Sequence, residues 1–374
     1  MCDVPALRFP EFTEEWEKCV ISDFGKVITG NTPPTKDVDN YKDGIKLWAS
    51  PIDLGKSKWI YDTQTKLPVT GFEKTRKLPQ GAILVTCIGS TIGKMGMATC
   101  EMATNQQINS IITNSDNDKD FVYYAIESKF PKYLTSVAIQ AVPIISKSSF
   151  ERLPNIRTTL TEQKKIGRFL SLIDKRIETQ NKIIEDLKKL KSALYQEMFG
   201  SLVAPTLKLG QVAEIVKGKQ VNGTELLEQG DYYVMNGGTF PSGWLNKFNT
   251  EANTISISEG GNSCGYVQYN TSRYWSGGHC YSLKILHPQE VSDLYLYHFL
   301  KWQEGNIMAL RIGSGLPNIQ KKDLLHFPII LPTIDKQKSI ISVLTAIDAK
   351  IACEVSLTEY YTMQKDFLLR NLFI

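Results

Sequence analysis

Between residues 160 and 199, and again between 334 and 373, apolar residues recur every three and four positions, with no proline and only Gly167 as glycine. The 4-3 spacing picks out Ile166, Leu170, Ile173, Ile177, Gln180, Ile184, Leu187, Lys191, Leu194 and Met198 in the first stretch. In the second it picks out Ile340, Leu344, Ile347, Ile351, Glu354, Thr358, Tyr361, Lys365, Leu368 and Leu372. Eight and seven of these ten are apolar, which predicts the seam of a coiled coil. A helix of about 35 residues spans roughly 50 Å at 1.5 Å per residue. Two polar exceptions match between the stretches, Gln180 with Glu354 and Lys191 with Lys365. Polar seam residues fix register at a cost in stability; a chance substitution near the helix surface is the competing reading. Thr159-Leu-Thr-Glu162 predicts a capping box, and Pro154, Pro328 and Pro332 predict a stop in the chain before each helix.

The two helical stretches are copies. Residues 154–199 align without a gap to 328–373 at an offset of 174, pairing Pro154 with Pro328, Gln163 with Gln337, Ile173-Asp174 with Ile347-Asp348, and Phe199 with Phe373. Val142-Pro143 falls on Leu316-Pro317 at the same offset. Upstream the correspondence drifts, as loops allow: AILVTCIGSTIGK (82–94) matches TISISEGGNSCGY (254–266), and ISDFGKVITG (21–30) matches LGQVAEIVKG (209–218). The chain therefore reads as one unit written twice.

Each globular part is strand-rich. ISDFGKVITG and GAILVTCIG read as strands that end on glycine, and INSIITN (108–114) alternates as a half-buried strand does. DFVYYAIESKF (120–130) and DLYLYHFLKWQ (293–303) carry apolar residues at helical spacing, and loops rich in Gly and Pro run over 29–37, 236–244 and 313–320. The predicted fold is α+β. Mixed, strand-rich domains at 1–155 and 200–332 are joined by long antiparallel coiled-coil helices at 156–199 and 333–374, with a pseudo-two-fold repeat. Two related modules on such a spacer form a caliper, comparable with the separation of about 34–36 Å between half-sites one turn apart on duplex DNA.

Composition is that of an ordinary globular protein, 42% hydrophobic and 22% charged, which excludes disorder. Lys and Arg number 43 against 39 Asp and Glu, so net charge alone argues weakly for nucleic acid. The excess of four lies within 156–199, with ten basic and six acidic residues, while 1–155 and 200–332 are each neutral. This points to a phosphate-facing spacer, or to a solvated or partner-facing helix, the reading favoured here; neutral domains suggest that DNA is gripped jointly with partners. Seven cysteines without a CxxC pair suit a reducing compartment. No apolar run approaches the roughly 18–20 residues needed to cross a bilayer, and the first residues lack a leader pattern. A cytoplasmic protein with no membrane partner is expected.

Motifs for catalysis are wanting. GSTIGKM (89–95) is one residue short of a phosphate loop and ends on Met95, and GGNSCGY (260–266) puts Tyr266 where a lysine is needed. Structural turns after strands are expected at both. His279, Cys280, His287, His298 and His326 lack zinc-ligand spacing, so no metal is expected. Glu162-Gln-Lys164 has no strand-borne aspartate before it, and a solvated first helical turn with an acid on the helix dipole is expected there. NTPPT (31–35) is not the pattern of an amino-methyltransferase, and no catalytic triad can be argued from spacing. The expected protein is non-catalytic, with no cofactor of its own.

The layout resembles the specificity subunit of a type I restriction–modification system along essentially the whole chain. The resemblance is carried by the duplicated run heading each helix (154–177 and 328–351), the TGNTPP loop (29–34), the GSTIGK turn (89–94) with Asn105-Gln106 after it, and VPIIS with LPNIQ (142–146 and 316–320). It implies two target-recognition domains, each reading half of a split, asymmetric site on double-stranded DNA. The helices would set the gap and dock two methyltransferase subunits, with restriction subunits in the full complex. S-adenosylmethionine, ATP and magnesium would belong to those partners, and no catalytic residue carries over.

Polar and aromatic loop residues are the natural DNA contacts. In the first domain these are Thr32, Lys36, Lys46, Trp48, Lys56, Lys58, Ser90, Thr91 and Lys94. In the second they are Lys217, Lys219, Gln220, Asn236, Asn262, Ser263, Tyr266, Arg273 and Tyr274. A solvated or packing role competes at each, and Trp48 and Trp59 are favoured as core. Two other functions stay open: a stand-alone DNA-modifying or DNA-cleaving enzyme of unfamiliar motif, and a coiled-coil adaptor that binds only protein.

Overall fold

The computed structural model describes residues 5–136, 143–313, 315 and 317–373. Cys2, Val142, Ser314, Leu316 and Ile374 lie outside them, so the match of Val142 with Leu316 does too. The long helices run over Leu160–Gly200 and Ile334–Leu372. Two compact units divide the chain, one made of 1–182 with 355–374 and the other of 183–354, so each takes one end of each helix.

The first unit is built on a five-stranded sheet in the order Gly25–Thr29, Ile108–Thr113, Ile83–Thr86, Met95–Ala98 and Trp59–Ile60, antiparallel except for the last pair. A three-stranded sheet orders Thr65–Leu67, Lys46–Ala49 and Ala103–Thr104, and a ribbon pairs Glu17–Val20 with Pro154–Arg157. Helix Lys119–Ser136 supplies Phe121, Tyr124 and Phe130 to a core that also takes Ile166 and Leu170 from the first long helix, and Leu369 and Phe373 from the end of the second. The strand at 108–113 does not alternate: its first four residues are all buried, because Ile111 faces this core while Ile108 faces a second cluster around Leu84 and Ala98.

The second unit repeats the plan. Its four-stranded sheet orders Ala213–Lys217, Cys280–Ile285, Thr254–Ser258 and Val267–Asn270; a three-stranded sheet orders Trp244–Leu245, Tyr232–Met235 and Trp275–Ser276. A ribbon pairs Thr206–Lys208 with Pro328–Ile330. In both three-stranded sheets the central strand has one antiparallel and one parallel neighbour. ISDFGKVITG and LGQVAEIVKG each fold as a one-turn helix (Ile21–Phe24, Leu209–Val212) running into the first sheet strand. Among the described residues strand Trp59–Ile60 has no counterpart in the second unit. Pro154 and Pro328 open ribbon strands rather than simply ending a segment, whereas Pro332 stands at the helix entrance.

The repeated glutamine docks each long helix. Buried Gln163 accepts from the Asp118 amide (2.9 Å) and donates to the Thr158 carbonyl (2.7 Å) and Asn117 Oδ1 (3.3 Å). Buried Gln337 accepts from the Ser292 amide (2.9 Å) and donates to the Glu290 (2.7 Å) and Pro332 (2.9 Å) carbonyls. Asp118 and Ser292 stand just before the aromatic helices, so one side chain closes the same joint twice. Glu162 neither caps the helix nor lies in solvent, contrary to the sequence expectation. It is fully buried, accepts from Arg8 Nε and Nη2 at 2.8 Å each, and takes the Thr158 hydroxyl as a further donor. Burying a carboxylate is tolerable only with such partners.

None of the twenty seam positions is exposed. In the first unit Lys365 meets Asp174 (2.9 Å) and Glu127 (3.1 Å), and Arg176 lies over the Tyr361 ring at 5.0 Å, so the helix segments run antiparallel there. In the second unit Lys191 pairs with Asp348. Gln180 and Glu354 are both buried.

Candidate nucleic-acid interface

Positive-φ glycines shape the turn after a central strand in each unit. Gly93 and Gly265 both sit at φ +92°, and a Cβ there would lie 2.7 Å from the Phe130 ring or 2.9 Å from Met308 Cα. Their amides bond the Thr86 and Ser258 carbonyls at 2.9 and 2.8 Å, closing the same loop in both units. The amides of Gly89 and Gly261 reach the Pro143 and Pro317 carbonyls at 3.0 Å each. Thus the turns GSTIGK and GGNSCG are structural, as expected, and each is tied to the segment that precedes its ribbon strand.

In the first unit this turn joins the other loops of that domain. Cys87 N donates to the Gln107 carbonyl (2.8 Å), the Asn105 side chain donates to Gln107 Oε1 (3.0 Å), and Thr32 Oγ1 donates to Gln106 (2.5 Å). Asn31 accepts from the Trp48 indole (3.1 Å) through its carbonyl and from the Arg76 amide (2.8 Å) through its side chain. Lys36, Lys56, Ser90 and Lys94 are exposed, and Thr32, Lys46 and Thr91 are half-buried. Lys94 packs along Gly55, which brings Lys56 and Lys94 onto neighbouring loops, while Lys46 lies 5.6 Å from the Phe72 ring centre.

In the second unit Asn236 Oδ1 accepts from the His279 amide (3.2 Å), and Gln220 packs against Gly278. Lys217 pairs with Glu259 at 2.7 Å, and Glu259 also accepts from the Tyr281 hydroxyl (2.9 Å). Lys217, Lys219, Gln220, Asn262 and Arg273 are exposed; Asn236, Ser263 and Tyr266 are half-buried. Arg273 is already engaged, by Glu251 at 2.8 Å and by the Phe248 ring at 4.7 Å, and Tyr266 has Lys301 over its ring at 4.1 Å.

Three of the residues expected to contact DNA lie out of reach of a ligand surface. Trp48 packs with Leu67, Phe72 and Ala103, and its indole serves to hold Asn31. Lys58 is buried against Asp120 (2.6 Å), Ser171 Oγ (2.7 Å) and Tyr124 OH (3.1 Å), and burial lowers its pKa. Tyr274 is buried in a stack on Tyr233 with centroids 5.5 Å apart, and desolvation raises its hydroxyl pKa. Periodicity could not separate these from loop residues, because their partners are distant in sequence. Conversely, exposed Arg76 and Gln106 border the TGNTPP loop, and exposed His279 borders the second turn, without having been singled out as contacts.

Among the described residues no three His, Cys, Asp or Glu side chains converge as a metal site, and no helix is long and apolar enough to cross a membrane. The six described cysteines are free thiols. Burial pushes the Cys87 thiol up to about 12. Glu259 occupies the equivalent place in the second unit: the amides of Ile145 and Ile319 donate to the Cys87 and Glu259 carbonyls at 2.8 Å each. The same scaffold therefore holds a neutral apolar thiol in one unit and a carboxylate in the other.

Comparison with known proteins matches residues 13–189 and 205–359 to the family described as the type I restriction modification DNA specificity domain. A putative type I specificity subunit of Mycoplasma pneumoniae is 36% identical over 166 residues, 44% of each chain. One from Mycoplasma genitalium is 32% identical over 161 residues, 43% of this chain and 42% of that protein. The chain thus aligns with under half the length of these relatives. The MjaVIII specificity subunit of Methanocaldococcus jannaschii is 24% identical across 92% of this chain and 88% of its own. In fold, the crystal structure of a type I restriction–modification S subunit from M. genitalium superposes with a TM-score of 0.69 at 20% identity, covering 99% of both chains.

Proposed function

The chain belongs to the type I restriction–modification DNA-specificity family, and from that premise we propose that it is the sequence-reading subunit of such a complex. In this reading 1–155 and 200–332 are target-recognition domains, each reading one half of a bipartite, asymmetric site on double-stranded DNA. The helical segments 156–199 and 333–374 set the gap and dock two methyltransferase subunits, and restriction subunits complete the assembly. S-adenosylmethionine, ATP and magnesium belong to those partners, and the complex works in the cytoplasm.

The observation that carries this reading is one topology presented twice with different loop chemistry. The major groove offers each base pair a distinct donor and acceptor pattern. Two scaffolds whose shared strands follow the same order, one with Cys87 and the GSTIGK turn and the other with Glu259 and the GGNSCG turn, suit two different half-sites. The exposed Lys36, Lys56, Lys94, Lys217 and Lys219 suit phosphates, and Thr32, Ser90, Thr91, Gln220, Asn236, Asn262 and Ser263 suit base edges. Co-expression with the methyltransferase subunit and mapping of methyladenine tests the proposal. A two-part motif with a constant gap is expected, and gel shifts of that complex showing no preference over random duplex would sink it. Methylation or cleavage of DNA by the purified chain alone would favour a stand-alone enzyme instead.

A further inference from the structure

The loop that leaves the central strand of each three-stranded sheet carries a large apolar side chain into solvent. After Tyr232–Met235 runs NGGTFPSG (236–243), in which Phe240 is 79% exposed. After Lys46–Ala49 runs SPIDLGKSK (50–58), in which Ile52 is 50% exposed. Scattered apolar residues at a surface are ordinary, but these two share a position in the fold, and each stands next to a proline, Pro241 or Pro51. The loops are otherwise unlike in sequence. What recurs is the exposed apolar group, although keeping it out of the core forgoes the stabilisation that burial would give.

Both loops are braced. In the second unit the Val234 amide donates to the Gly243 carbonyl (2.9 Å) and the Ser242 amide to the Val234 carbonyl (2.8 Å), closing the loop at its neck. The Ser258 hydroxyl donates to the Gly237 carbonyl (2.5 Å), and a Cβ on Gly237, at φ +85°, would lie 2.8 Å from the His279 carbonyl oxygen. Pro241 has a fixed φ and biases Phe240 toward extended backbone. In the first unit Asp53 accepts from the Ser50 amide and hydroxyl (2.8 and 2.9 Å), and the Gly55 amide donates to the Met95 carbonyl (3.0 Å). Phe240 and Ile52 thus stand on loops fastened beside the GGNSCG and GSTIGK turns, among the residues proposed to meet DNA.

We propose that Phe240, and Ile52 in the first unit, are wedges that enter the duplex between two stacked base pairs of their half-sites, opening that step and bending the DNA. Apolar side chains act in this way in proteins that kink DNA, and an aromatic ring stacks on any base without reading it. The surroundings favour a base stack over a protein partner. Phe240 is the one large apolar side chain between Met235 and Trp244, whereas a protein interface needs a contiguous apolar core. No acidic residue occurs in 232–250, so this loop does not repel phosphates. Asp53, the acid of the first loop, is engaged by Ser50 and the Gln64 amide. The inference rests on the specificity-subunit reading above, and it adds a preference for steps that unstack easily, pyrimidine–purine steps above all.

The test uses the full chain co-expressed with its methyltransferase. Mapping methyladenine first establishes the motif; if the wild-type complex methylates no two-part motif, the functional reading fails before the inference is reached. Duplexes of that motif then carry 2-aminopurine or pyrrolocytosine at one position at a time, away from the methylated adenines, because both brighten when unstacked. The wild-type complex should brighten one step in each half-site. Phe240→Ala should abolish the rise in one half-site only and weaken binding about tenfold, the scale of one base stacked on a ring; Phe240→Trp should restore both. Ile52→Ala should abolish the rise in the other half-site. Since both side chains are exposed, the variants should keep the wild-type melting temperature and co-purify with the methyltransferase. A complex in which no step depends on Phe240 overturns the proposal. So does a Phe240→Ala chain that folds but no longer binds the methyltransferase, which would make Phe240 a contact for that protein.

Discussion

Replacing Gln163 or Gln337 by methionine keeps the volume of the side chain while removing its amide. In the first unit the change strands the Asp118 amide and the Thr158 carbonyl, and in the second the Ser292 amide with the Glu290 and Pro332 carbonyls, all around a site with at most 1% exposure. A buried polar group left without a partner costs about 1–3 kcal/mol. Partial relaxation leaves a loss of about 2–4 kcal/mol per variant. For a unit of 150–250 residues each kcal/mol lowers the melting temperature by about 2–4 °C, so a fall of about 4–16 °C is expected. Differential scanning calorimetry on the two single variants and the double reads it. Because the two joints lie in separate units, their effects should add within about 0.5 kcal/mol when followed by urea unfolding. A shift below 1 °C for both single variants would refute the reasoning, since the duplicated glutamine would then be holding nothing.

Gly93→Ala and Gly265→Ala force a Cβ into occupied space at φ +92°, so each should cost about 2 kcal/mol or more, seen as a lower urea midpoint. Burial, and then the Lys191 charge, depress the His298 pKa from 6.5 to about 4. Its stabilisation is therefore complete above pH 6.5 and is lost as pH falls toward 4, where only the unfolded chain takes the proton. The loss approaches about 3 kcal/mol, and His298→Gln should flatten that part of the stability profile. If Lys36, Lys56 and Lys94 meet phosphates, each alanine variant should lower the salt slope of binding by about 1 without altering the motif. Lys58→Met should instead destabilise the first unit and leave that slope unchanged, as a fluorescence-anisotropy titration over salt would show.

The two long helices were legible because a helix tolerates no insertions: one offset of 174 aligned every seam position, and none of those positions is exposed. The sheets were legible only in part. Strands of two to four residues, such as Trp59–Ile60 or Ala103–Thr104, are too short to show alternation, and the strand at 108–113 is covered on both faces. Glu162 was misread because its partner Arg8 stands 154 residues away, and Lys58 because Asp120 is equally invisible to local pattern. The repeat did contain the signal for the docking glutamines and the seam lysines. What sequence lacked was the partner of each, which only the third dimension supplies.

The first unit is drawn from both ends of the chain, and this bears on how the protein is made. The Leu7 amide bonds the Asn371 carbonyl (2.8 Å), the Ser128 hydroxyl bonds that of Leu369 (2.9 Å), and Phe373 packs on Trp16 and Phe121 at 6.1 and 5.5 Å. The second unit is continuous from 183 to 354. On the ribosome the usual order, in which the N-terminal domain folds first, is therefore inverted. The second unit can close as soon as it emerges, whereas the first holds an unfinished core for the roughly 10–40 s that its remaining residues take at about 5–20 residues per second. The aromatic side chains of its core wait through that interval, making newly begun chains the form of this protein most dependent on chaperones.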